Sequence, residues 1–374
     1  IFMLYYLNMN MNKNINFFHA IAILIGTIIG VGVFGIPYAA AQSGFLITLI
    51  YLLGLGFIAI FIHLFYGEIV TKTRGKHRLI GYAEKYLGKW GKRTAFVSSL
   101  LGRWGALLAY IIVSGHFAQA LLGGSNFFWS IILFIIGSIA IFFGLKLIAK
   151  LEFFMTLLLI GFMLIIFTFG FGHINLENLQ SMNSFNLFLP YGVILFALGG
   201  ITAIPEMKEL IKKKTRLKLA IILGTLIPVV LFIIFTLVVV GVTGQQTTQE
   251  ALIGLQKILG PKVMFIGLMF GILALATSFL TIGLNIKKIF WYDLGLGKNL
   301  SWFLACFVPL FAFLLGMRNF IDTIGLVGVI LGGINGILIC LIFTKIKKKK
   351  FLFLPSLVAL IFLIGIFYQI WRGI

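Results

Sequence analysis

The chain has 374 residues, of which 61% are hydrophobic and only 10% charged. In a soluble globular protein about half of the residues are apolar and about a quarter are charged. Polar residues this scarce could not cover so much apolar surface in water, which excludes a soluble enzyme, a disordered chain and a disulfide scaffold. The net charge of +21 does not indicate nucleic-acid binding, because the Lys and Arg residues lie in short connections between apolar segments.

Apolar runs long enough to cross a membrane occur eleven times, since a spanning helix needs about 20 such residues. The runs do not alternate polar with apolar residues, which excludes the strands of a barrel. We therefore predict an all-α polytopic membrane protein. The eleven spans, numbered in chain order, are 17–42, 45–67, 94–122, 126–144, 152–171, 187–204, 218–243, 262–285, 300–317, 322–344 and 351–371.

The distribution of positive charge predicts the orientation, because Lys and Arg are retained on the cytoplasmic side. With a cytoplasmic N-terminus, 25 of the 30 Lys and Arg residues lie inside and four lie outside. The C-terminus then lies outside, and residues 1–16 form a cytoplasmic segment. Within it, residues 1–10 are interpreted as an extension upstream of a start at Met11. No cleaved signal peptide is evident, so we expect the first helix to be retained. The expected location is the plasma membrane, as a multi-pass integral protein.

Two spans contain interruptions at corresponding positions. The first and the sixth spans share the pattern G-x-x-x-I-P, at Gly32–Pro37 and at Gly200–Pro205. The two copies are five spans apart, so they enter the membrane in opposite directions. Interrupted helices at matching places in two inverted halves indicate the substrate site of a transporter.

The chemistry of an interrupted helix supports this interpretation. Glycine and proline destabilise a helix interior, and a break within the membrane persists only where protein buries it or where it lines a watery cavity. Amides released at a helix N-terminus attract an anion, and released carbonyls attract a cation. The alternative is that the glycines only allow close helix packing, which is the interpretation preferred for Gly54, Gly56, Gly332 and Gly336.

The interrupted segments also resemble a known family. Residues 26–45 (GTIIGVGVFGIPYAAAQSGF) and 189–209 (LPYGVILFALGGITAIPEMKE) look like the first and sixth helices of the amino acid/auxin permease family and its tryptophan/tyrosine permease relatives, within the amino acid–polyamine–organocation superfamily. Residues 290–302 and 321–339 resemble the ninth and tenth helices of that family and the loop before them. The resemblance covers nearly the whole chain.

The resemblance implies a LeuT-type fold, built from two inverted five-helix repeats at 17–171 and 187–344, with an eleventh helix and tail at 351–374. It implies a symporter that carries amino acids, aromatic or otherwise neutral, by alternating access. Amides of the first helix would hold the substrate carboxylate and carbonyls of the sixth would receive its amino group. The implied substrate site comprises Gly26, Thr27, Ile29, Gly30, Val31, Gly32, Phe34, Tyr110, Phe196, Ala197, Leu198, Gly199, Gly200 and Thr202. For Tyr110, simple packing between helices is an equally good interpretation.

The resemblance further implies a sodium ion as the coupling ion. The eighth span contains Ala274, Thr277 and Ser278 in the A-x-x-T-S arrangement of sodium-coupled members, to which the carbonyls of Gly26 and Ile29 would add. A hard cation prefers such neutral oxygen ligands. Alternatively, the two hydroxyls bond only to carbonyls of their own helix.

Proton coupling is the other alternative, and it would require an ionisable group at membrane depth. The candidates are Arg103, His63, His116 and His19; Arg103 does not titrate usefully, and the histidines are interpreted as packing residues. Arg103 is expected to pair with Glu68 or Glu206, either as an inner gate or as a structural ion pair. Residues 244–261 are expected to form a short amphipathic helix that covers the outer vestibule.

Two other classes of membrane protein fit the sequence less well than a carrier does. A membrane-embedded enzyme would need clustered ligands or a nucleophile with a base, and the spans contain no acidic residue away from their ends. A channel could share eleven helices, but paired broken helices favour alternating access. The expected partners are therefore an amino acid and the lipid bilayer, with no nucleic acid and no cofactor other than the coupling ion.

Overall fold

A computed structural model describes residues 16–75, 77–144, 148–180, 186–347 and 352–371. The predicted extension at 1–10 and most of the segment 1–16 lie outside the described residues. The described chain is helical apart from its connections. The helices are α1 Asn16–Ile28, α2 Gly32–Ser43, α3 Phe45–Lys72, α4 Leu79–Leu122, α5 Asn126–Phe143, α6 Ile148–Gly170, α7 Glu177–Gln180, α8 Leu189–Ala197, α9 Ile204–Leu210, α10 Lys214–Thr243, α11 Gln256–Lys288, α12 Lys298–Leu314, α13 Phe320–Leu326, α14 Gly333–Ile346 and α15 Phe353–Trp371.

Each of the eleven predicted spans corresponds to a helix or to consecutive helices. Within the described ranges, eight helices are long and apolar enough to cross a membrane, and the bent pair α1–α2 provides a ninth. Two shorter apolar stretches lie at the positions of the fifth and ninth spans. They are Ile160–His173, which includes the second half of α6, and Lys298–Leu314, which is α12. A short π-helical segment at Val327–Gly332 joins α13 to α14 within the tenth span.

The helix that contains the third span begins earlier than the sequence predicted. Helix α4 starts at Leu79 rather than at residue 94, and it contains a kink at Gly88, whose φ of 74° lies in the left-handed region that favours glycine. The helical turns before Gly88 carry charged residues and belong to the connection after α3. The apolar pattern therefore located the membrane-spanning part of α4 but not this polar leading segment.

The interior of the bundle forms where helices distant in the sequence pack together. Helix α3 packs against α10, α4 packs against α5 and α11, and the two interrupted spans meet where α2 packs against α8. Large side chains such as Tyr66, Phe232 and Phe320 are completely enclosed there. Many Leu, Ile and Phe side chains remain exposed on the outer faces of the helices, as expected where lipid replaces water.

The connection between α10 and α11 covers one end of the bundle. Its apolar residues Ala251, Leu252 and Leu255 are fully buried, and its Gln245 amide donates to the Ala41 carbonyl at the end of α2 over 2.8 Å. The predicted short amphipathic helix is formed only in part. The 3₁₀ turns Gly244–Gln246 and Ile253–Leu255 lead into the first turn of α11, which a kink at Gly260, with a φ of 76°, separates from the rest of that helix.

Candidate functional site

The first span is interrupted between Ile28 and Gly32, where α1 and α2 meet at an angle of 54°. The Gly30 amide donates to the Ile28 carbonyl over 3.0 Å, and the Val33 amide donates to the Gly30 carbonyl over 3.3 Å. In a regular helix these two amides would instead donate to the carbonyls of Gly26 and Ile29. The interruption therefore takes the Gly26 and Ile29 carbonyls out of the helical pattern, although Gly26 itself is still part of α1.

The sixth span is interrupted between Ala197 and Ile201. The Gly199 amide donates to the Phe196 carbonyl over 3.2 Å, and the next backbone bond along the stretch joins the Ala203 amide to the Gly200 carbonyl over 3.2 Å. A 3₁₀ turn then leads into α9. This interruption is longer than the first one, because α2 starts at the glycine of its G-x-x-x-I-P copy, whereas α9 starts only at the isoleucine.

The two interruptions pack against each other through the matching glycines of the two motif copies. A methyl group added to Gly32 would lie 2.8 Å from the Cα atom of Ala197, at the end of α8. A methyl group added to Gly200 would lie 2.8 Å from side-chain atoms of Ile28 and Leu24 in α1. Each motif glycine thus allows its own span to touch the broken partner span, which joins the two inverted segments at the centre of the bundle.

A cavity of about 1110 Å³ lies at this junction. It extends from the two interruptions to the side of the bundle that carries the Lys- and Arg-rich connections, where Arg78, Glu84, Lys92, Glu206 and Lys288 line it. We call this the basic side. Among the described residues, none from the connection that covers the opposite end lines the cavity. The cavity therefore connects the two interruptions with the basic side.

Most residues of the predicted substrate site line this cavity, and two do not. Ile29 is buried beside the first interruption, and the Phe34 ring packs edge-to-face on Phe117 with 5.3 Å between ring centres. Phe34 lies beyond the interruption on α2, so its ring points into the helix packing. The predicted residues that line the cavity are Gly26, Thr27, Gly30, Val31, Gly32, Tyr110, Phe196, Ala197, Leu198, Gly199, Gly200 and Thr202.

Two side chains of the predicted substrate site have defined positions. The Tyr110 hydroxyl lies beside the first interruption, since a methyl group added to Gly30 would be 3.5 Å from that oxygen. The Thr27 hydroxyl donates to the Ile23 carbonyl in its own helix over 2.8 Å. Tyr110 is thus placed to contact a ligand held by α2, whereas the Thr27 hydroxyl is engaged within α1.

The predicted sodium ligands are only partly brought together. Ser278 lines the same cavity as Gly26, whereas Ile29, Ala274 and Thr277 do not line it. The Thr277 hydroxyl donates to the Ala274 carbonyl over 2.9 Å, which is the local bond that the sequence left open as an alternative. Two of the predicted sodium ligands, the Thr277 hydroxyl and the Ala274 carbonyl, are therefore hydrogen-bonded to each other in this structure.

The predicted inner-gate residues have other partners than those expected. Arg103 lines the cavity and donates to the Ser99 carbonyl over 3.1 Å, one turn away on α4. Arg78 pairs with Glu206 at 3.2 Å and also donates to the Thr202 carbonyl. Glu68 lies outside the cavity lining and pairs with lysines. Cations at the ends of neighbouring helices therefore pair with the two carboxylates, and the expected pair of Arg103 is not formed.

The sequence contained a further signal that was not used. Ser278, Thr281 and Asn285 all line the cavity, and their spacings of three and four residues place them on one face of α11. A polar stripe on an otherwise apolar membrane helix marks a face that avoids lipid. Arg78, in contrast, lies in a charged connection, and no sequence pattern predicted its hydrogen bond to the Thr202 carbonyl.

Comparison with known proteins gives the family. The family described as the tryptophan/tyrosine permease family matches residues 13–372. The chain is 25% identical over 333 residues to glutamine transporter 2 of Aliivibrio fischeri, covering 85% of this chain and 86% of that protein. It is 27% identical over 295 residues to tyrosine-specific transport system 1 of Haemophilus influenzae, covering 74% of this chain and 73% of that protein.

Solved structures show the same fold. The crystal structure of MhsT in complex with L-phenylalanine matches with a TM-score of 0.66 and 14% identity, covering 93% of this chain and 98% of MhsT. The inward-facing conformation of Mhp1 matches with a TM-score of 0.64 and 15% identity, covering 89% of this chain and 77% of Mhp1. The LeuT-type fold predicted from the sequence is confirmed. The chain is a multi-pass membrane transporter and not an enzyme.

Proposed function

The chain belongs to the tryptophan/tyrosine permease family, and on this basis we propose that it is an ion-coupled symporter of neutral or aromatic amino acids in the plasma membrane. The relatives named for glutamine and tyrosine transport support an amino acid as substrate. The observation that carries the proposal is the contact between the two interrupted spans at a cavity that reaches the basic side. The wider placement in the amino acid/auxin permeases and their superfamily remains a prediction from sequence.

The helix ends at this contact suit a zwitterion. The N-terminus of α2 carries a partial positive charge and the C-terminus of α8 a partial negative one. Since Gly32 and Ala197 touch, both ends face the same small space. We infer that the substrate carboxylate binds the amides at the start of α2 and that the ammonium group binds carbonyls at the end of α8. Tyr110, beside Gly30, is placed to contact the same ligand.

The direction of the open cavity follows from the charge distribution. If the basic side is cytoplasmic, as the Lys and Arg residues predict, the structure is open to the cytoplasm, with an N-terminus inside and a C-terminus outside. The covering connection between α10 and α11 then closes the outer side. In this arrangement residues 17–171 and 187–344 act as the two inverted repeats of an alternating-access carrier, and residues 351–374 add the eleventh helix.

We propose sodium as the coupling ion, with Ala274, Thr277 and Ser278 joined by the carbonyls of Gly26 and Ile29. The shifted backbone bonds that release these two carbonyls support the proposal. In the open structure Thr277 and Ala274 bond to each other. Closure of the cytoplasmic side would have to bring α11 and α1 closer so that these oxygens face one ion. Proton coupling is the competing candidate.

Uptake into proteoliposomes tests both the function and the ion. We expect saturable uptake of L-tyrosine or L-glutamine that is driven by a sodium gradient. Replacing Thr277 with valine should raise the sodium concentration at half-maximal uptake about tenfold or more, because a lost ligand costs at least as much as a lost supporting contact. Thr344→Val is the matched control, because its hydroxyl makes the same local bond over 2.9 Å on another helix.

Two results would contradict parts of the proposal. If uptake did not depend on a sodium gradient but did depend on a pH gradient, the coupling ion would be a proton and not sodium. Unsaturable conductance without counterflow would replace the carrier by a channel.

A further inference from the structure

His63 is a buried side chain in α3 that borders the cavity. Its exposed fraction is 2%, and it lines the cavity next to the sixth-span interruption. A methyl group added to Gly200 would lie 3.0 Å from the Cε1 atom of its ring. The edge of the imidazole therefore faces the same interruption to which the proposed function assigns the substrate.

The hydrogen bonds of Thr225 determine which nitrogen of His63 carries the proton. Thr225 Oγ1 donates to the Ile221 carbonyl over 2.8 Å, so its single hydrogen is used there. The same oxygen lies 2.9 Å from His63 Nδ1, and both contacts of Thr225 are hydrogen bonds at once only when this oxygen accepts from Nδ1. The Nδ1 atom therefore carries the hydrogen, and in a neutral ring Nε2 is an acceptor.

The surroundings of His63 favour the neutral ring. The side chain is almost entirely buried, and among the described residues no carboxylate pairs with it. An isolated charge at such a place would be costly, whereas a neutral imidazole with one satisfied N–H is not. The other titratable side chains that line the cavity are His19, Tyr66, His77, Arg78, Glu84, Lys92, Arg103, Tyr110, Glu206, Lys288 and Tyr292.

The second nitrogen is left for a ligand. Within the described ranges Nε2 of His63 has no hydrogen-bond partner in the protein, and it is not among the fully buried unpaired side-chain atoms, as expected for a nitrogen that faces the cavity. We propose that His63 is a specificity-determining residue whose Nε2 accepts a hydrogen bond from the side chain of the transported amino acid, which would have to carry an amide or a hydroxyl donor. The inference rests on the proposed function, because it assumes an amino acid at the interruptions.

The test compares pairs of similarly sized substrates of which only one carries a side-chain hydrogen-bond donor. For the full-length protein in proteoliposomes, kcat/KM is measured for L-tyrosine against L-phenylalanine and for L-glutamine against L-methionine. We expect the wild type to prefer the donor-bearing member of at least one pair. His63→Leu should lower that ratio about fivefold, since a net hydrogen bond corresponds to about a twofold to tenfold change in affinity. A ratio measured within one variant does not depend on how much protein folds.

Three further variants separate recognition from packing. His63→Gln, whose amide oxygen can replace Nε2 as acceptor, should keep part of the ratio. Thr225→Val should lower the ratio, although Thr225 does not line the cavity, because Nδ1 loses the acceptor that fixes the tautomer. Thr236→Val is the control, since it removes another buried hydroxyl from α10 that has no partner among the described residues. It should leave the ratio unchanged.

The outcomes distinguish this inference from the function on which it rests. If the wild type takes up none of the four amino acids, the proposed function fails and the inference fails with it. If the wild type transports them without preferring the donor-bearing member, or if His63→Leu leaves the ratio unchanged, the inference alone is overturned. An equal loss for both members of each pair would show that His63 only links α3 to α10.

Discussion

Replacing Gly32 with valine is expected to lower amino acid uptake about 5-fold to 150-fold, because overpacking a tight contact costs about 1–3 kcal/mol and each 1.4 kcal/mol corresponds to a factor of ten. Even a methyl group at this position would lie 2.8 Å from the backbone Cα atom of Ala197, which cannot move aside as a flexible side chain can. The two interrupted spans would be forced apart at the place where the proposed substrate site lies.

The matched control is Gly54→Val on α3. Gly54 was assigned to close helix packing from the sequence, but it is exposed on the bundle surface, and a methyl group there would have no neighbour within 4 Å. Valine at this position should leave uptake unchanged within about twofold, since surface substitutions change stability by at most about 0.5 kcal/mol. Gly200→Ala should give an intermediate loss, because its nearest neighbours are side-chain atoms of Ile28 and Leu24.

The measurement is initial uptake of labelled L-tyrosine and L-glutamine, normalised to the protein that is inserted in the vesicles. If Gly32→Val retained uptake close to that of Gly54→Val, the contact between the interruptions would not be needed for transport. The motif glycines would then serve only for close helix packing.

The interruptions were predictable from sequence because their cause is local. Glycine and proline disfavour a helix wherever they occur, so the repeated motif at Gly32 and Gly200 located both breaks and paired them. The extent of the first break was overestimated, since Gly26 and Thr27 belong to α1. Backbone bonds to preceding residues keep these two positions helical, and the motif alone does not reveal where that support ends.

The side-chain partners were less predictable because they depend on tertiary placement. Arg103 was expected to pair with Glu68 or Glu206, but Glu68 pairs with Lys214 at the start of α10 and Glu206 pairs with Arg78 just before α4. The sequence does not show which cations the fold brings beside each carboxylate. His63 was interpreted as a packing residue, and its bond to Thr225 is indeed a packing contact. Only the second bond of Thr225, to Ile221, leaves Nε2 as an acceptor at the cavity.

Glu68 is the site of the second large effect, this time on stability. Its carboxylate is 4% exposed and lies 2.8 Å from Lys214 Nζ, 3.3 Å from Lys347 Nζ and 3.6 Å from Lys72 Nζ. These contacts join the end of α3, the start of α10 and the end of α14 on the basic side. We expect Glu68→Gln to lower the free energy of unfolding by about 2 kcal/mol, since a hydrogen bond to a charged group contributes about 1.5–3 kcal/mol.

A matched exposed pair shows why burial sets the size of this effect. Glu84 lies 3.0 Å from Lys92, a distance comparable to those at Glu68, but both side chains are 51% exposed. Water and salt screen such a pair, so Glu84→Gln should cost at most about 0.5 kcal/mol. Denaturant unfolding of the two purified variants in the same detergent measures the difference. If both variants lost the same small amount of unfolding free energy, the contacts of Glu68 with the three lysines would not hold the three helices together.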